Sequence, residues 1–103
     1  MSNLVSVRRV TVVVESELEK MLVEQFAKLG ARGYTCVDCR GRGEHEIAID
    51  DDPFVNAGRV RIETIVQPKV AADILNYLES PQFAARAIAA CVEAVEVSAA
   101  DRI

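Results

Sequence analysis

Two stretches of similar size, each reading strand, helix, strand, flank one long polar loop, and few folds accept that layout. Arg9 to Val14 reads Arg-Val-Thr-Val-Val-Val, a β-branched run too short for a helix and typical of a largely buried strand. Ser16 followed by Glu19 fits a capping box, in which hydroxyl and carboxylate satisfy two orphan amide donors reciprocally, so a helix is expected from near Glu17. Leu18, Met21, Leu22, Gln25, Phe26 and Leu29 recur at three- and four-residue spacing as one apolar stripe with Gln25 at its margin. Gly30 is the natural terminator. Tyr34 to Arg40 forms the next strand, with Thr35, Val37 and Cys39 on one face and Cys36, Asp38 and Arg40 on the other.

From Gly41 to Gly58 the chain carries glycines, three consecutive aspartates at Asp50 to Asp52, and Pro53, all of which break regular pairing. A connection of this length is more often functional than accidental, and residues 44–57 are expected to be a mobile arm. Arg59 to Val66 then alternates polar and apolar residues before an apolar pair, as expected of a strand with one covered face. Pro68 starts a second helix with Val70, Ala71, Ile74, Leu75 and Leu78 as its stripe, and Ser80-Pro81 closes it. The last strand is expected from about Ile88 to Val97. The order βαββαβ over residues 1–103 is that of a single α+β ferredoxin-like domain, a four-stranded antiparallel sheet with two helices on one face. Val and Ala on the other face would be left exposed, and trimeric closure of three such sheets would bury them.

Composition narrows the function. Half of the 103 residues are apolar, yet there are only two Tyr, three Phe and no Trp, so the core is built mainly from Val, Ile, Leu and Ala. A net charge of −4 argues against a general nucleic-acid binder, which carries a basic excess. No apolar run approaches the roughly 20 residues of a membrane span, and the N-terminus lacks the pattern of a signal peptide, so a cytoplasmic protein is expected. With three cysteines in such a compartment, no structural disulfide is expected.

The chemistry-bearing residues gather at the loop. The strand from Tyr34 ends in Arg40-Gly41-Arg42-Gly43; glycines let a ligand approach the backbone, and arginine forks pair with phosphate oxygens. Arg40, Arg42, Arg59 and Arg61 sit at the two strand ends flanking the loop and could converge on one side of a cleft. If they pair with Asp50, Asp51 and Asp52 instead, the result is an ordinary surface network. Cys36 and Cys39 have Cys-x-x-Cys spacing, but on a strand residues three apart face opposite ways and cannot easily share one zinc ion. Cys91 reads as core filler. His45, the single histidine, reads as a solvated loop residue, with a ligand contact or pH-sensitive element as the other reading. The aspartate triplet could bind a hard cation, but contiguous carboxylates in a loop are more often solvated. No nucleophile has a base nearby and no Walker loop is present, so no catalytic residue is named.

Gly30-Ala31-Arg32-Gly33-Tyr34-Thr35, then Gly41-Arg42-Gly43, then Val60 to Val66, resembles the PII signalling superfamily over nearly the whole chain, most of all its PII-like branch linked to bicarbonate uptake and carboxysomes. The resemblance implies a non-enzymatic homotrimer with adenine nucleotides in its inter-subunit clefts and the long loop as an effector-responsive arm. By position, Thr35 matches the threonine that meets adenine, Gly41 and Gly43 the glycines flanking the nucleotide, and Arg59 the basic residue at the foot of the loop. Glu63 and Ile65 fall on the strand lining the base pocket. Thr35, Arg40, Gly41, Arg42, Gly43, Arg59, Arg61, Glu63 and Ile65 are therefore the candidate nucleotide contacts, with AMP or ADP as ligand, bicarbonate as a candidate second ligand and no metal.

The departures are as informative. Ser80 to Ala90 contains no glycine, where PII proteins proper cradle the terminal phosphates, so triphosphate binding should be weak. Neither Tyr34 nor Tyr77 lies in the long loop, so uridylylation is not expected. Glu44 and His45 stand where typical PII proteins carry Arg and Gln, which removes the expectation of metal and 2-oxoglutarate. The C-terminal cysteine hairpin of some bicarbonate-associated relatives is missing before Ile103, so redox control through it is not expected. The expected partner is a bicarbonate transporter or carboxysome-associated protein, without nucleic acid or membrane insertion. The alternatives are a CutA-like trimeric metal-tolerance protein and a slow nucleotide hydrolase.

Overall fold

The computed structural model describes residues 3–40 and 58–99. Gly41, Arg42, Gly43, His45, Asp50 to Asp52 and the 44–57 arm lie outside the described residues, so the expectations placed on them have no structural counterpart below.

Strands β1 (Leu4–Glu15), β2 (Thr35–Cys39), β3 (Arg59–Val66) and β4 (Ala89–Ser98) form one sheet in the order β2-β3-β1-β4. Every neighbouring pair is antiparallel. Helices α1 (Glu19–Leu29) and α2 (Pro68–Leu78) complete the βαββαβ order, the ferredoxin-like arrangement read from the sequence. Val10, Val12 and Val14 of β1 and Val60, Ile62 and Val66 of β3 are buried with Leu22 and Phe26 of α1 and Ala71, Ile74 and Leu78 of α2. Alternation sends Thr11 and Val13 of β1, with Arg61, Glu63 and Ile65 of β3, to the other face. That face is less covered, with Val37 of β2 43 % exposed.

Four local expectations change. β1 begins at Leu4 rather than Arg9, because the ladder with β4 pairs Leu4 to Ser98 through Val13 to Ala89; a long-range partner holds a segment whose Ser6 and Arg8 mask the β-branched signal. Ser16 is not a cap. Ser16–Leu18 is a 3₁₀ turn whose N-cap, Glu15, makes no side-chain bond to it, and the Ser16 N–H donates to the Gly58 carbonyl at 2.7 Å. A donor that the capping box would have satisfied locally is thus met by the residue before β3. Met21 is 41 % exposed, whereas Val23 packs against the core, so the helix is rotated slightly from its apolar pattern. Cys91 is exposed rather than core filler; it faces Thr11 in the ladder while its neighbour Val92 faces the buried Val10.

Gly30 ends α1 at φ +121°, and a Cβ built there would stand 2.9 Å from Val70 Cγ2. Both the dihedral and the contact exclude a side chain, so Gly30→Ala is expected to cost about 2 kcal/mol. A urea titration would read this as a lower midpoint, and an unchanged midpoint would contradict the assigned helix end.

Candidate functional site

A cleft of about 490 Å³ opens where the chain leaving α1 enters β2 beside β3. Thr35, Glu63 and Ile65 line it, joined by Arg9, Arg32, Gly33, Tyr34 and Thr64. The ladder explains the grouping, because Thr35 pairs with Glu63 and Ile65 follows two residues on along the same face. Thr64 points the other way into the core, 3 % exposed, and its hydroxyl donates to the Gly33 carbonyl at 2.6 Å. That bond fixes the Arg32-Gly33-Tyr34 segment against β3 and so holds one wall of the cleft.

The cleft joins an aromatic ring, 56 % exposed at Tyr34, to a branched aliphatic side chain, a hydroxyl and charges of both signs. Arg9 lies 3.7 Å from Glu63 and 3.5 Å from Glu93, bridging β3 to β4 across β1. Half-exposed pairs of this kind contribute about 0–1 kcal/mol each, so they orient Glu63 more than they stabilise the sheet. The apolar and aromatic surface suits a flat heterocycle, and Glu63 and Thr35 supply hydrogen-bond partners for its edge.

The remaining described candidates lie toward the other end of the β2–β3 pair. Arg61 faces Val37 and Arg59 faces Cys39 across the ladder, and Arg40 follows directly on the end of β2. Arg61 and Arg40 are exposed, whereas Arg59 is only 9 % exposed, more enclosed than an ordinary surface arginine. Arg61 and Ile65 are four residues apart in one strand, roughly 13 Å at about 3.3 Å per residue. The nine sequence candidates therefore divide into a cleft group and an arginine group, with Gly41, Arg42 and Gly43 outside the described residues. Arg9, Arg32 and Tyr34 were missed. Counting back by twos from Thr11 would have put Arg9 on the face of Glu63, and Arg32 and Tyr34 immediately precede Thr35.

The cysteines are free and do not build a metal centre. Cys36 pairs with Ile62 and Cys39 with Arg59, so the two thiols point to opposite faces as strand alternation requires. Burial first, then the charges of Glu19 and Asp38, push the Cys36 thiol above its ordinary range, keeping it protonated at neutral pH and a poor metal ligand. Among the described residues no group of three or more His, Cys, Asp or Glu side chains could hold a metal ion.

The chain thus combines a βαββαβ sheet with a cleft on its β2–β3 pair. The sequence matches the family described as nitrogen regulatory protein P-II over residues 7–101, and the chain belongs to that family. A PII-like signalling protein of Thermus thermophilus is 41 % identical, with 92 % of this chain and 91 % of that one aligned at a TM-score of 0.75. CPII of Thiomonas intermedia, a nitrogen regulatory PII-like protein solved with ADP, AMP and bicarbonate, is 19 % identical, with 92 % and 96 % aligned at a TM-score of 0.76. Its complex with ADP and bicarbonate aligns at a TM-score of 0.79 and 18 % identity over 94 % and 93 % of the chains. At that identity the likeness to CPII is one of fold. No curated protein matches the sequence.

Proposed function

We propose that this PII-family chain is a non-enzymatic, cytoplasmic, homotrimeric sensor. It binds AMP or ADP at its subunit interfaces, with bicarbonate as a second ligand, and regulates inorganic-carbon uptake or carboxysome-linked metabolism. The observation that carries the reading is the division of the β2–β3 pair, with a cleft lined by Tyr34, Thr35, Glu63 and Ile65 together with Arg9 and Arg32 at one end, and Arg40, Arg59 and Arg61 at the other. A nucleoside phosphate has the same polarity, a flat base joined through a sugar to an anion. Thr35, Glu63 and Ile65 take the base, and Arg40, Arg42, Arg59 and Arg61, with Gly41 and Gly43, take the phosphates. The ligands named for CPII support the choice of adenine nucleotide and bicarbonate. The cleft is open on the side of the less covered sheet face, and closure of that face by neighbouring subunits completes the site. Nucleotide shifts the 44–57 arm between two states by its differential affinity for them, and the arm docks to a bicarbonate transporter or carboxysome-associated protein.

Calorimetry with AMP, ADP and ATP, each with and without bicarbonate, tests this reading. The expected result is micromolar binding that favours AMP or ADP and tightens with bicarbonate. Arg61→Ala should weaken it about tenfold or more, the loss of a charge-assisted phosphate contact. No binding of any nucleotide would overturn the reading and favour a CutA-like metal-binding trimer, and phosphate release during the titration would make the protein a hydrolase.

A further inference from the structure

Arg9 lines the cleft but has no share in the base and phosphate contacts assigned above, and it is tied to a residue that lies beyond the cleft. On the less covered face of the sheet the ladder sets Arg9 level with Ile65 of β3 on one side and with Glu93 of β4 on the other. Glu63 lies two residues before Ile65 on that same face. The Arg9 side chain engages both flanking strands, with Nε 3.7 Å from Glu63 Oε1 and Nη1 3.5 Å from Glu93 Oε1. Two different nitrogens of one guanidinium thus meet carboxylates from opposite sides of β1, and the group is held from two directions.

That hold has a chemical consequence. The N–H bonds of a guanidinium lie in its plane, so carboxylates meet it along its edge and leave its two faces uncovered. The Arg9 side chain is 38 % exposed and borders the cleft. A guanidinium face stacks on a flat aromatic ring. The strand order β2-β3-β1 sets Arg9 on one side of β3 and the Tyr34-Thr35 segment on the other, with Ile65 of β3 between them. Neighbouring strands lie about 4.8 Å apart, so β1 and β2 are separated by roughly 10 Å, which leaves room for one flat heterocycle above β3. An untethered arginine would lose rotamer freedom on stacking, whereas one already held by two carboxylates loses less. Among the described residues Glu93 does not line the cleft, so it reaches a ligand there only through Arg9.

We infer that Arg9 is the stacking platform for the base in this cleft and that Glu93, on the neighbouring strand, is the residue that positions it. The inference rests on the nucleotide reading above and adds a selectivity to it. The fused rings of a purine cover more of the guanidinium plane than the single ring of a pyrimidine, so the preference for purine nucleotides resides in the Arg9 plane.

The test is calorimetry of the full chain with ADP and with CDP, on the wild type and on Arg9→Lys, Glu93→Gln and the double variant. Arg9→Lys keeps the charge but has no plane to lay on a ring. ADP should bind about fivefold more weakly to it while CDP changes by less than about twofold, so that the purine preference collapses. Glu93→Gln leaves Arg9 in place but loosens it, and should weaken ADP by about threefold. The double variant should bind ADP no more weakly than Arg9→Lys alone, because Glu93 acts through Arg9. Arg9→Lys that leaves ADP affinity unchanged, or that weakens ADP and CDP equally, overturns the platform. Additive losses in the double variant overturn the positioning role of Glu93. Each of these failures leaves the nucleotide reading standing, whereas a wild type that binds neither nucleotide removes that reading and the inference together.

Discussion

Phe26→Ala is expected to remove most of the stability of this domain. Phe26 is 1 % exposed and lies in the cluster that joins α1 to β1 and β3. Truncating a buried phenylalanine costs about 3–5 kcal/mol in lost transfer energy and cavity, against a total of about 5–15 kcal/mol for a domain of ordinary stability. A chain of 103 residues buries a smaller share of its surface than a larger domain does and has little in reserve. Followed by circular dichroism in urea, the midpoint should fall by about 2 M. Met21→Ala on the same helix, at a position 41 % exposed, should change stability by less than about 0.5 kcal/mol. An equal loss at the two positions would mean that the helix packs as its raw apolar spacing suggests.

The second large effect concerns the less covered sheet face. Val13 lies on the central strand β1 between Arg61 of β3 and Ala89 of β4. In a lone chain, Val13→Lys puts an ammonium at a half-buried surface position beside another cation, which costs about 1 kcal/mol. If three copies close over this face, the same change buries three unpaired charges, and each carries a desolvation penalty of several kcal/mol. On the proposed trimer, sedimentation equilibrium should therefore show three chains falling to one on Val13→Lys, with nucleotide binding lost alongside if neighbours complete the clefts. An unchanged mass, equal to the wild type's, would take this face out of the assembly.

The architecture was legible in the sequence because its signals are local and strong. The valines of β1, the alternation of Arg59 to Val66 and the stripe of α2 each bury one face, and only one layer order satisfies all of them. What was not legible depends on partners distant in sequence. Leu4 to Arg8 pairs as strand only because β4 returns beside it, Ser16 gives its N–H to Gly58, and Cys91 turns outward because the ladder register, not its apolar character, fixes its face. The site divides in the same way. Thr35, Glu63 and Ile65 were found through the family resemblance and share one cleft, whereas the ion pairs of Arg9 reach Glu63 of β3 and Glu93 of β4, partners distant in sequence.

Native mass spectrometry of the protein with ADP tests the account most directly, because it reads assembly and ligand stoichiometry together. The expected species is three chains of 11.3 kDa each carrying up to three nucleotides, with occupancy falling on Arg61→Ala. A single chain without nucleotide, at ADP concentrations well above micromolar, would contradict it.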